Sequence, residues 1–196
     1  MKFNQLFKPK AATEAVPARK IRKIKWFLVG YLLVLFGGFQ ALENLLYRNP
    51  SISEPLGYYL SLPLVGYGRG DLVMICINNG RYKAILNKLG LADVSGQCAS
   101  GLPYLIKRIG AVKGDVVEVT ASGILINGTL QANSYLYPEG RGIKLYPLAV
   151  GYKHTLSDGE YFMLGNSPHS FDSRYFGVVK HPDIYRRAIL VKRESK

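Results

Sequence analysis

The sequence is poor in the residues that build metal sites and disulfide networks, with two cysteines and three histidines among its 196 residues. His154, His169 and His181 lie far along the chain from Cys76 and Cys98, a spacing that does not suit a zinc site. The sequence therefore implies no metal, and it contains no motif that implies an organic cofactor.

Acidic residues are also scarce, since 13 Asp and Glu stand against 26 Lys and Arg, for a net charge of +13. Residues 1–25 hold eight of the basic residues and only Glu14, so a net +7 lies in a short N-terminal segment. A uniformly basic domain would suggest nucleic-acid binding, but this charge is local, and neither zinc-finger spacing nor an RNP-like motif is present. We predict that residues 1–25 form a disordered basic tail and that the chain does not bind nucleic acid.

One apolar run follows the basic segment, from Trp26 to Phe39 without a charged residue, and the apolar pattern continues to Tyr47. As a helix, residues 26–47 would extend about 33 Å, enough for a hydrocarbon core of about 30 Å. Three interpretations compete: an uncleaved signal anchor, a cleaved signal peptide and a buried core helix. The long basic segment and the poor cleavage site after the apolar run favour the anchor.

A membrane anchor over residues 26–47 would fix the topology of the chain. The positive-inside rule places residues 1–25 in the cytoplasm and residues 48–196 outside it. We therefore predict a single-pass membrane protein whose folded domain lies outside the cytoplasm. In that oxidising compartment a disulfide between Cys76 and Cys98 is the natural pairing, with two unrelated buried thiols as the alternative.

Beyond residue 48 the sequence is rich in β-forming residues separated by turn residues, and the whole chain contains 21 Gly and 14 Tyr. The Asn127-Gly128 pair between apolar runs is a strong hairpin signal. Strands separated by tight turns predict a mainly β, antiparallel domain, with residues 78–104 and 131–156 as less regular insertions. The predicted strands are 70–77, 105–109, 116–120, 124–126, 160–164 and 188–191.

Three segments carry candidate chemistry: Ser51 to Tyr58, Tyr104 to Asp115, and Leu164 to Gly177. Taken singly, each has an ordinary explanation. Ser-x-Ser-x-Pro-x-Gly is a common loop sequence, a lysine in an apolar strand often extends to water, and Asn-Ser-Pro and Asp-Ser-Arg are turn sequences. Their order and combination make them informative.

Together, these segments resemble the type I signal peptidases, Ser/Lys endopeptidases that remove signal peptides outside the cytoplasmic membrane. In that family an anchor is followed directly by the nucleophile segment, then by a Lys-Arg-x-x-Ala-x-x-Gly-Asp box and a Ser-x-Asp-Ser-Arg-Tyr-x-Gly string. Here the box is residues 107–115 and the string is residues 170–177. The likeness spans residues 26–191 and keeps the family's order. It implies an antiparallel β catalytic domain behind one transmembrane helix, with the helix in the bacterial inner membrane and the domain in the periplasm.

A closer likeness is to the TraF-type branch, the signal peptidases of conjugative plasmid transfer. Pro55 stands two residues after Ser53, as in that branch, and Cys76 and Cys98 occupy the places of its two cysteines. Two departures weaken the assignment of substrate: Asn166 stands where the family more often has Asp, and residues 78–97 match the branch poorly.

The resemblance implies that Ser53 is the nucleophile and that Lys107 is its general base. A serine hydroxyl needs a base at neutral pH, and a lysine serves as that base only when it is neutral, which burial among apolar groups favours. Lys107 lies between Ile106 and Ile109, where such burial is expected. In a strand, the neighbouring Arg108 would point to the opposite face, towards solvent.

Supporting roles follow from the resemblance by position. A serine two residues before the nucleophile would donate to the oxyanion together with the Ser53 N–H, although an exposed loop hydroxyl is the alternative. A second serine would orient Lys107, and an acid–arginine pair would hold its loop. These residues are Ser51 for the oxyanion, Ser170 for the orientation, and Asp172 with Arg174 for the ion pair.

The sequence thus predicts a membrane-anchored serine endopeptidase that cleaves signal peptides from exported precursors and, by likeness to the conjugative branch, matures a pilin precursor. Its predicted partners are that precursor, the membrane, and conjugation or type IV secretion components. Two alternatives remain: a general housekeeping signal peptidase, and a non-catalytic anchored β-domain of a secretion or conjugation complex. A Ser-His-Asp triad through His169 is disfavoured, because His169 follows Pro168 in a loop and matches no position of the family.

Overall fold

The computed structural model describes residues 18–43, 45–63, 66–88 and 98–194. The chain divides into two compact units, Met1–Glu43 and Asn44–Lys196. Two parts of the sequence predictions fall outside the described residues: residues 1–17 of the basic tail and residues 89–97 of the first insertion.

The first unit is described by one helix, α1 (Ala18–Glu43). Its apolar side chains are exposed, with Trp26, Phe27 and Val34 each more than 70% accessible. Among the described residues, no helix combines the length and the apolar content needed to cross a membrane. The helix begins inside the segment predicted as a disordered tail, because Ala, Arg and Lys are good helix formers.

The predicted end of this helix at Tyr47 is wrong. The helix ends at Glu43, and residues Leu46–Asn49 form strand β1 of the second unit. Tyr47 is buried there, in an apolar cluster that includes Met74, and its hydroxyl donates a hydrogen bond to the Tyr104 carbonyl at 2.8 Å. A continuous apolar run does not reveal where one core ends and the next begins, so the sequence pattern does not separate this helix from the strand that follows it.

Seven strands form the main sheet of the second unit, in the order β1-β2-β13-β3-β4-β11-β12. Every pairing described within it is antiparallel. Beyond β1, its strands are β2 (Gly57–Leu62), β3 (Leu72–Ile75), β4 (Leu105–Ala111), β11 (Glu160–Leu164), β12 (Val179–Lys180) and β13 (Ile184–Arg193).

A four-stranded sheet and a short hairpin complete the β structure. The hairpin predicted at Asn127-Gly128 is present, and both residues have the positive φ (50° and 79°) that a tight hairpin turn requires. The mainly β, antiparallel fold is therefore confirmed. The four-stranded sheet contains β5 (Val116–Thr120), β6 (Gly123–Ile126), β7 (Thr129–Leu130) and β10 (Lys153–Thr155), and the hairpin pairs β8 (Glu139–Gly140) with β9 (Ile143–Lys144).

Two helices of the second unit, α2 (Gly80–Lys88) and α3 (Ser173–Phe176), were not predicted. Helix α2 occupies part of the insertion that was interpreted as irregular. Its buried residues Ile85 and Leu86 follow Tyr82 at the i+3 and i+4 spacing of a helical face, and all three pack in the main apolar cluster.

The disulfide between Cys76 and Cys98 is present in the structure. It joins the chain just after β3 to the segment that leads into β4, and so closes the part of the chain that contains α2. Cys98 is buried, and its N–H donates to the carbonyl of the core residue Leu102 at 3.1 Å.

Apolar side chains pack on both faces of the main sheet. Val73 belongs to one apolar cluster and its neighbour Met74 to another, because successive residues of a strand point to opposite faces. In β4, Leu105 and Ile109 join the cluster of Val73. Lys107 lies between them at the same alternation, so the fold places its side chain on an apolar face.

Candidate active site

The predicted nucleophile lies in the tight loop between β1 and β2. The amide side chain of Asn49 organises this loop, since its Nδ2 donates to the carbonyls of Ser51, Glu54 and Pro55 at 2.9–3.3 Å. The Asn49 Oδ1 in turn accepts the Ser51 N–H at 3.1 Å. Ser53 is held in this loop with only 5% of its surface exposed. Asn49 was not singled out from the sequence, although an Asn-Pro pair is a known start of a turn.

Ser51 and Ser53 are in direct contact. Their hydroxyl oxygens are 3.0 Å apart, and the Ser53 N–H points to the Ser51 Oγ at 3.3 Å. The two groups predicted to bind the oxyanion therefore lie side by side, but without substrate they are engaged with each other. A substrate carbonyl oxygen would have to replace this contact.

Lys107 is buried on β4, with 2% of its surface exposed. Its Nζ donates to the Ser170 Oγ at 3.1 Å, which is the contact expected of an orienting serine. Burial lowers the pKa of Lys107 from 10.5 to about 8, against the opposing effect of the Asp172 and Glu54 carboxylates. The neighbouring Arg108 is exposed, as predicted from the alternation of the strand.

Arg174 fixes the loop that carries Ser170. It forms a two-pronged ion pair with Asp172, with both contacts at 2.8 Å and neither side chain exposed. Its remaining donors go to main-chain carbonyls, those of Asn133, Tyr135 and Pro168 from Nη1 and that of Ser170 from Nη2. Because a buried guanidinium needs partners for all its donors, this network leaves the Ser170 main chain little freedom.

The close approach of two loops depends on a glycine. A Cβ placed on Gly165 would lie 2.0 Å from the Ser170 Oγ and 3.1 Å from the Ser53 carbonyl oxygen. That carbonyl accepts the Asn166 N–H at 2.7 Å, so the main chain of the nucleophile loop is bonded directly to the loop of Ser170. Ser170, on that same loop, accepts a hydrogen bond from the Lys107 Nζ. The structure thus brings the surroundings of Ser53 and Lys107 together.

Glu54, the residue after the predicted nucleophile, was not singled out by sequence and is fully buried. Its Oε1 accepts the Asn166 N–H at 3.2 Å, and its Oε2 lies 3.5 Å from the Arg108 guanidinium without a hydrogen bond. Burial raises the pKa of the Glu54 carboxyl, while Arg108 and Lys107 oppose that rise. No pattern in the sequence distinguishes this acid from an exposed loop residue.

A cavity of about 620 Å³ opens beside Ser53. The nucleophile loop forms one wall, and the β8–β9 hairpin and the loop from His169 form the others. His169 packs its ring against Tyr137, with centroids 5.0 Å apart, so the histidine lines the cavity. The lining residues include Ser51, Ile52 and Ser53 on one side and Tyr137, Glu139, Leu145 and Ser170 on the other.

The site therefore combines a serine held in a tight loop with a buried amine, and both are hydrogen-bonded to the segment between Gly165 and Ser170. The chain matches the family described as signal peptidase, peptidase S26, over residues 24–192. It therefore belongs to the signal peptidase S26 family. The match contains the three segments on which the resemblance was based, and the resemblance is confirmed.

Two relatives connect the chain to conjugation. A plasmid transfer protein TraF of Escherichia coli is 37% identical over 142 residues, which cover 69% of this chain and 76% of that protein. A conjugal transfer protein TraF of Agrobacterium tumefaciens is 32% identical over 135 residues, which cover 67% of this chain and 73% of that protein. A crystal structure of a signal peptidase I from Enterococcus faecalis is 20% identical and aligns with a TM-score of 0.35, covering 63% of this chain and 97% of that one.

Proposed function

We propose that this protein is a Ser/Lys endopeptidase that cleaves signal peptides from exported precursors, with Ser53 as nucleophile and Lys107 as general base. One observation carries the proposal. Lys107 is buried in an apolar face, has a pKa lowered to about 8, and is bonded to Ser170 in the loop that contacts Ser53. A neutral amine at this position is the base that a serine requires.

The reaction is an acyl transfer in two halves. The Ser53 Oγ attacks the scissile carbonyl carbon while its proton passes to the Lys107 Nζ. The C–N bond then breaks, the leaving amine takes that proton, and an ester to Ser53 remains. Water attacks the ester, giving a proton to Lys107, and the proton returns to the Ser53 Oγ as the acid is released.

The oxyanion of each tetrahedral intermediate lies against the Ser51 hydroxyl and the Ser53 N–H. Both residues line the cavity, and the Ser51 Oγ lies 3.0 Å from the Ser53 Oγ and 3.3 Å from the Ser53 N. A developing negative charge is a better acceptor than a serine hydroxyl, so the intermediate replaces the contact between the two serines. Asp172 and Arg174 act indirectly, through the position of Ser170.

The substrate is the precursor of a conjugative pilin. The names of the relatives support this choice, since they are plasmid and conjugal transfer proteins, and the cavity beside Ser53 gives an extended peptide room to bind. Other components of the conjugation apparatus are the expected partners of the enzyme.

The helix α1 anchors the enzyme in the inner membrane, with the basic tail in the cytoplasm and the β domain in the periplasm. The exposed apolar side chains of the helix and the excess of basic residues before it support this placement. The disulfide at Cys76 and Cys98 supports an oxidising compartment. The anchor is tested separately from the chemistry.

The chemistry is tested by precursor processing in membranes that contain the wild type, Ser53→Ala or Lys107→Ala. We expect each variant to lose at least about a thousandfold in rate, because both groups act in the same step. Ser122→Ala and Lys113→Ala are matched controls, since both residues are exposed, and they should process normally. Undiminished processing by either site variant would contradict the proposed dyad.

Substrate choice is tested with the same membranes and two precursors. A pilin precursor should be processed at least about tenfold faster than an ordinary secretory precursor, a difference that one or two side-chain contacts can produce. Equal rates would instead identify a general signal peptidase. If Ser53→Ala still processes both precursors, the non-catalytic role is favoured.

A further inference from the structure

Glu54 is an unusual residue to find beside a base that must lose a proton. Its side chain is fully buried, and its Oε2 has no hydrogen-bond partner in the described part of the chain. Leaving a carboxylate in this state costs free energy. Its retention next to Ser53 therefore calls for a compensating role.

The charges around Lys107 come from three elements. Asp172, at the N-cap of α3, and Arg174, within α3, form a closed ion pair with both side chains buried. Glu54 approaches Lys107 from the nucleophile loop, because its Oε1 accepts the Asn166 N–H and the adjacent Gly165 packs against the Ser170 Oγ that holds the Lys107 Nζ. The counterion of Glu54 is the half-exposed Arg108. The first pair is short and saturated with hydrogen bonds, whereas the second is 3.5 Å long.

The neighbours of this cluster on the adjacent strands are apolar. The β3 residue paired with Lys107 is Val73, and the β11 residues paired with β4 at Arg108 and Ile109 are apolar. The Tyr59 hydroxyl is a further titratable group near Glu54, and it donates to the Pro55 carbonyl at 2.8 Å. On the open side, the cavity wall adds Glu139, Arg141 and His169.

We propose that Glu54 is a positioning residue whose buried carboxylate, kept ionised by Arg108, sets how tightly Lys107 holds its proton. This inference rests on the proposed function, in which Lys107 is the base. Burial alone favours a neutral amine, and a nearby negative charge works against it. The lysine must accept a proton from Ser53 and then give it to the leaving amine, so an intermediate proton affinity serves both steps.

Two further contacts fit this role. The Arg108 guanidinium is fixed by a hydrogen bond from Nη1 to the Gly70 carbonyl at 2.8 Å, so it is held near Glu54 even though it reaches solvent. The Asn166 N–H reaches both the Glu54 Oε1 and the Ser53 carbonyl. The carboxylate is thereby tied to the main chain of the nucleophile loop.

The test compares Glu54→Gln with Glu54→Asp in the full-length protein, using the pH profile of precursor processing. Removing the charge should move the acidic limb of the profile to lower pH by about half a unit or more, while the plateau falls because the base is weaker. Glu54→Asp keeps the charge, so its limb should stay near the wild-type position. A purely structural residue would lower the plateau of the Gln variant and leave the limb in place, which would overturn the proposal.

The role of Arg108 is tested with a double-mutant cycle between Arg108 and Glu54. Arg108→Gln should shift the limb in the wild-type background and have no further effect in Glu54→Gln, because its influence passes through the carboxylate. Equal shifts in both backgrounds would overturn the part assigned to Arg108. Arg69→Gln is a matched control, since Arg69 is also half-exposed and pairs with a buried acid, Asp115, at a different place. It should leave the limb unchanged.

A second measurement does not depend on activity. The Lys107 side chain is titrated by NMR with ¹³C-labelled lysine in detergent micelles, and its signal is assigned by its loss in Lys107→Ala. Its titration midpoint should fall in Glu54→Gln by the same half unit or more as the limb. If Ser53→Ala still processes precursor, the proposed function fails while this titration still decides the inference. An unchanged midpoint alongside an inactive Ser53→Ala would refute the inference alone.

Discussion

At the level of single residues, Lys107 determines how the proposed reaction depends on pH. Because its pKa is about 8, about one molecule in ten holds the neutral base at pH 7. We expect the rate constant kcat/KM for precursor processing to rise about tenfold per pH unit below pH 8 and to level off above it. An acidic limb near pH 10, where an ordinary lysine titrates, would contradict the burial of this side chain.

The same burial makes Lys107 costly for stability. Between pH 8 and 10.5 the unfolded chain binds more protons at this site than the folded protein, so stability rises with pH through that window. Below pH 8 the full cost, about 3 kcal/mol, is present. Lys107→Met should therefore abolish processing and raise the free energy of unfolding at pH 7 by up to about 3 kcal/mol.

Denaturant titrations at pH 7 and pH 9.5 measure this gain. It should shrink at the higher pH, because the folded lysine is then already neutral and pH 9.5 lies only about one unit below the unfolded pKa of 10.5, which leaves about 1.4 kcal/mol of the cost. The exposed Lys113 provides the control, and Lys113→Met should change stability little at either pH. A Lys107→Met variant less stable than wild type at pH 7 would contradict the expectation.

Gly165 lies where the structure has no room for a side chain. An added Cβ would come within 2.0 Å of the Ser170 Oγ, so Gly165→Ala should displace the hydroxyl that orients Lys107. We expect processing to fall at least about tenfold, since misplacement of about 1 Å at such a site can cost a hundredfold. Gly68→Ala, at a position with open space, is the matched control and should retain wild-type processing in the same assay.

At the level of elements, sequence could predict the strands whose inward face is apolar. β5 and β11 were placed at their observed bounds, because apolar β-formers followed turn residues. β2 was missed, since its buried positions include Gly57 and Ser61 while the outward Tyr58 is more exposed. Period-two patterning fails when an inward face carries small or polar residues.

Some residues of the candidate site could likewise be predicted from the sequence, and others could not. Sequence could indicate Ser53, Lys107 and Ser170, because short motifs carry them in a fixed order. It could not indicate Glu54, whose burial depends on the loop of Asn166 and on Arg108 of β4. Contacts between distant segments arise from the packing of elements and leave no local pattern.

The disulfide acts at the level of elements, because it closes the segment between β3 and β4. The two cysteines are 22 residues apart in sequence, and a closed loop of that size is worth about 3 kcal/mol in the chain-entropy model. We expect Cys76→Ser with Cys98→Ser to lower the free energy of unfolding by about that amount. Dithiothreitol should destabilise the wild type similarly and leave the double variant unchanged; equal stability of the two oxidised proteins would contradict the expectation.

At the level of the whole molecule, the two units differ in how much of their apolar side chains is exposed. The second unit buries them in three clusters around its sheets. The helix of the first unit leaves its apolar side chains exposed, which is unfavourable in water. A lipid environment removes that cost, and this is the physical reason for proposing an anchor.

The anchor predicts that alkaline carbonate leaves the full-length protein in the membrane fraction. Val34 lies within the apolar run and is 73% exposed, and a lysine near the middle of a span costs about 3 kcal/mol, so Val34→Lys should increase the released fraction. Val150→Lys changes a similarly exposed valine of the second unit and should behave as wild type. If carbonate releases the wild type, the exposed helix does not hold the protein in the membrane; if Val150→Lys is released as readily as Val34→Lys, the added charge acts without regard to the helix.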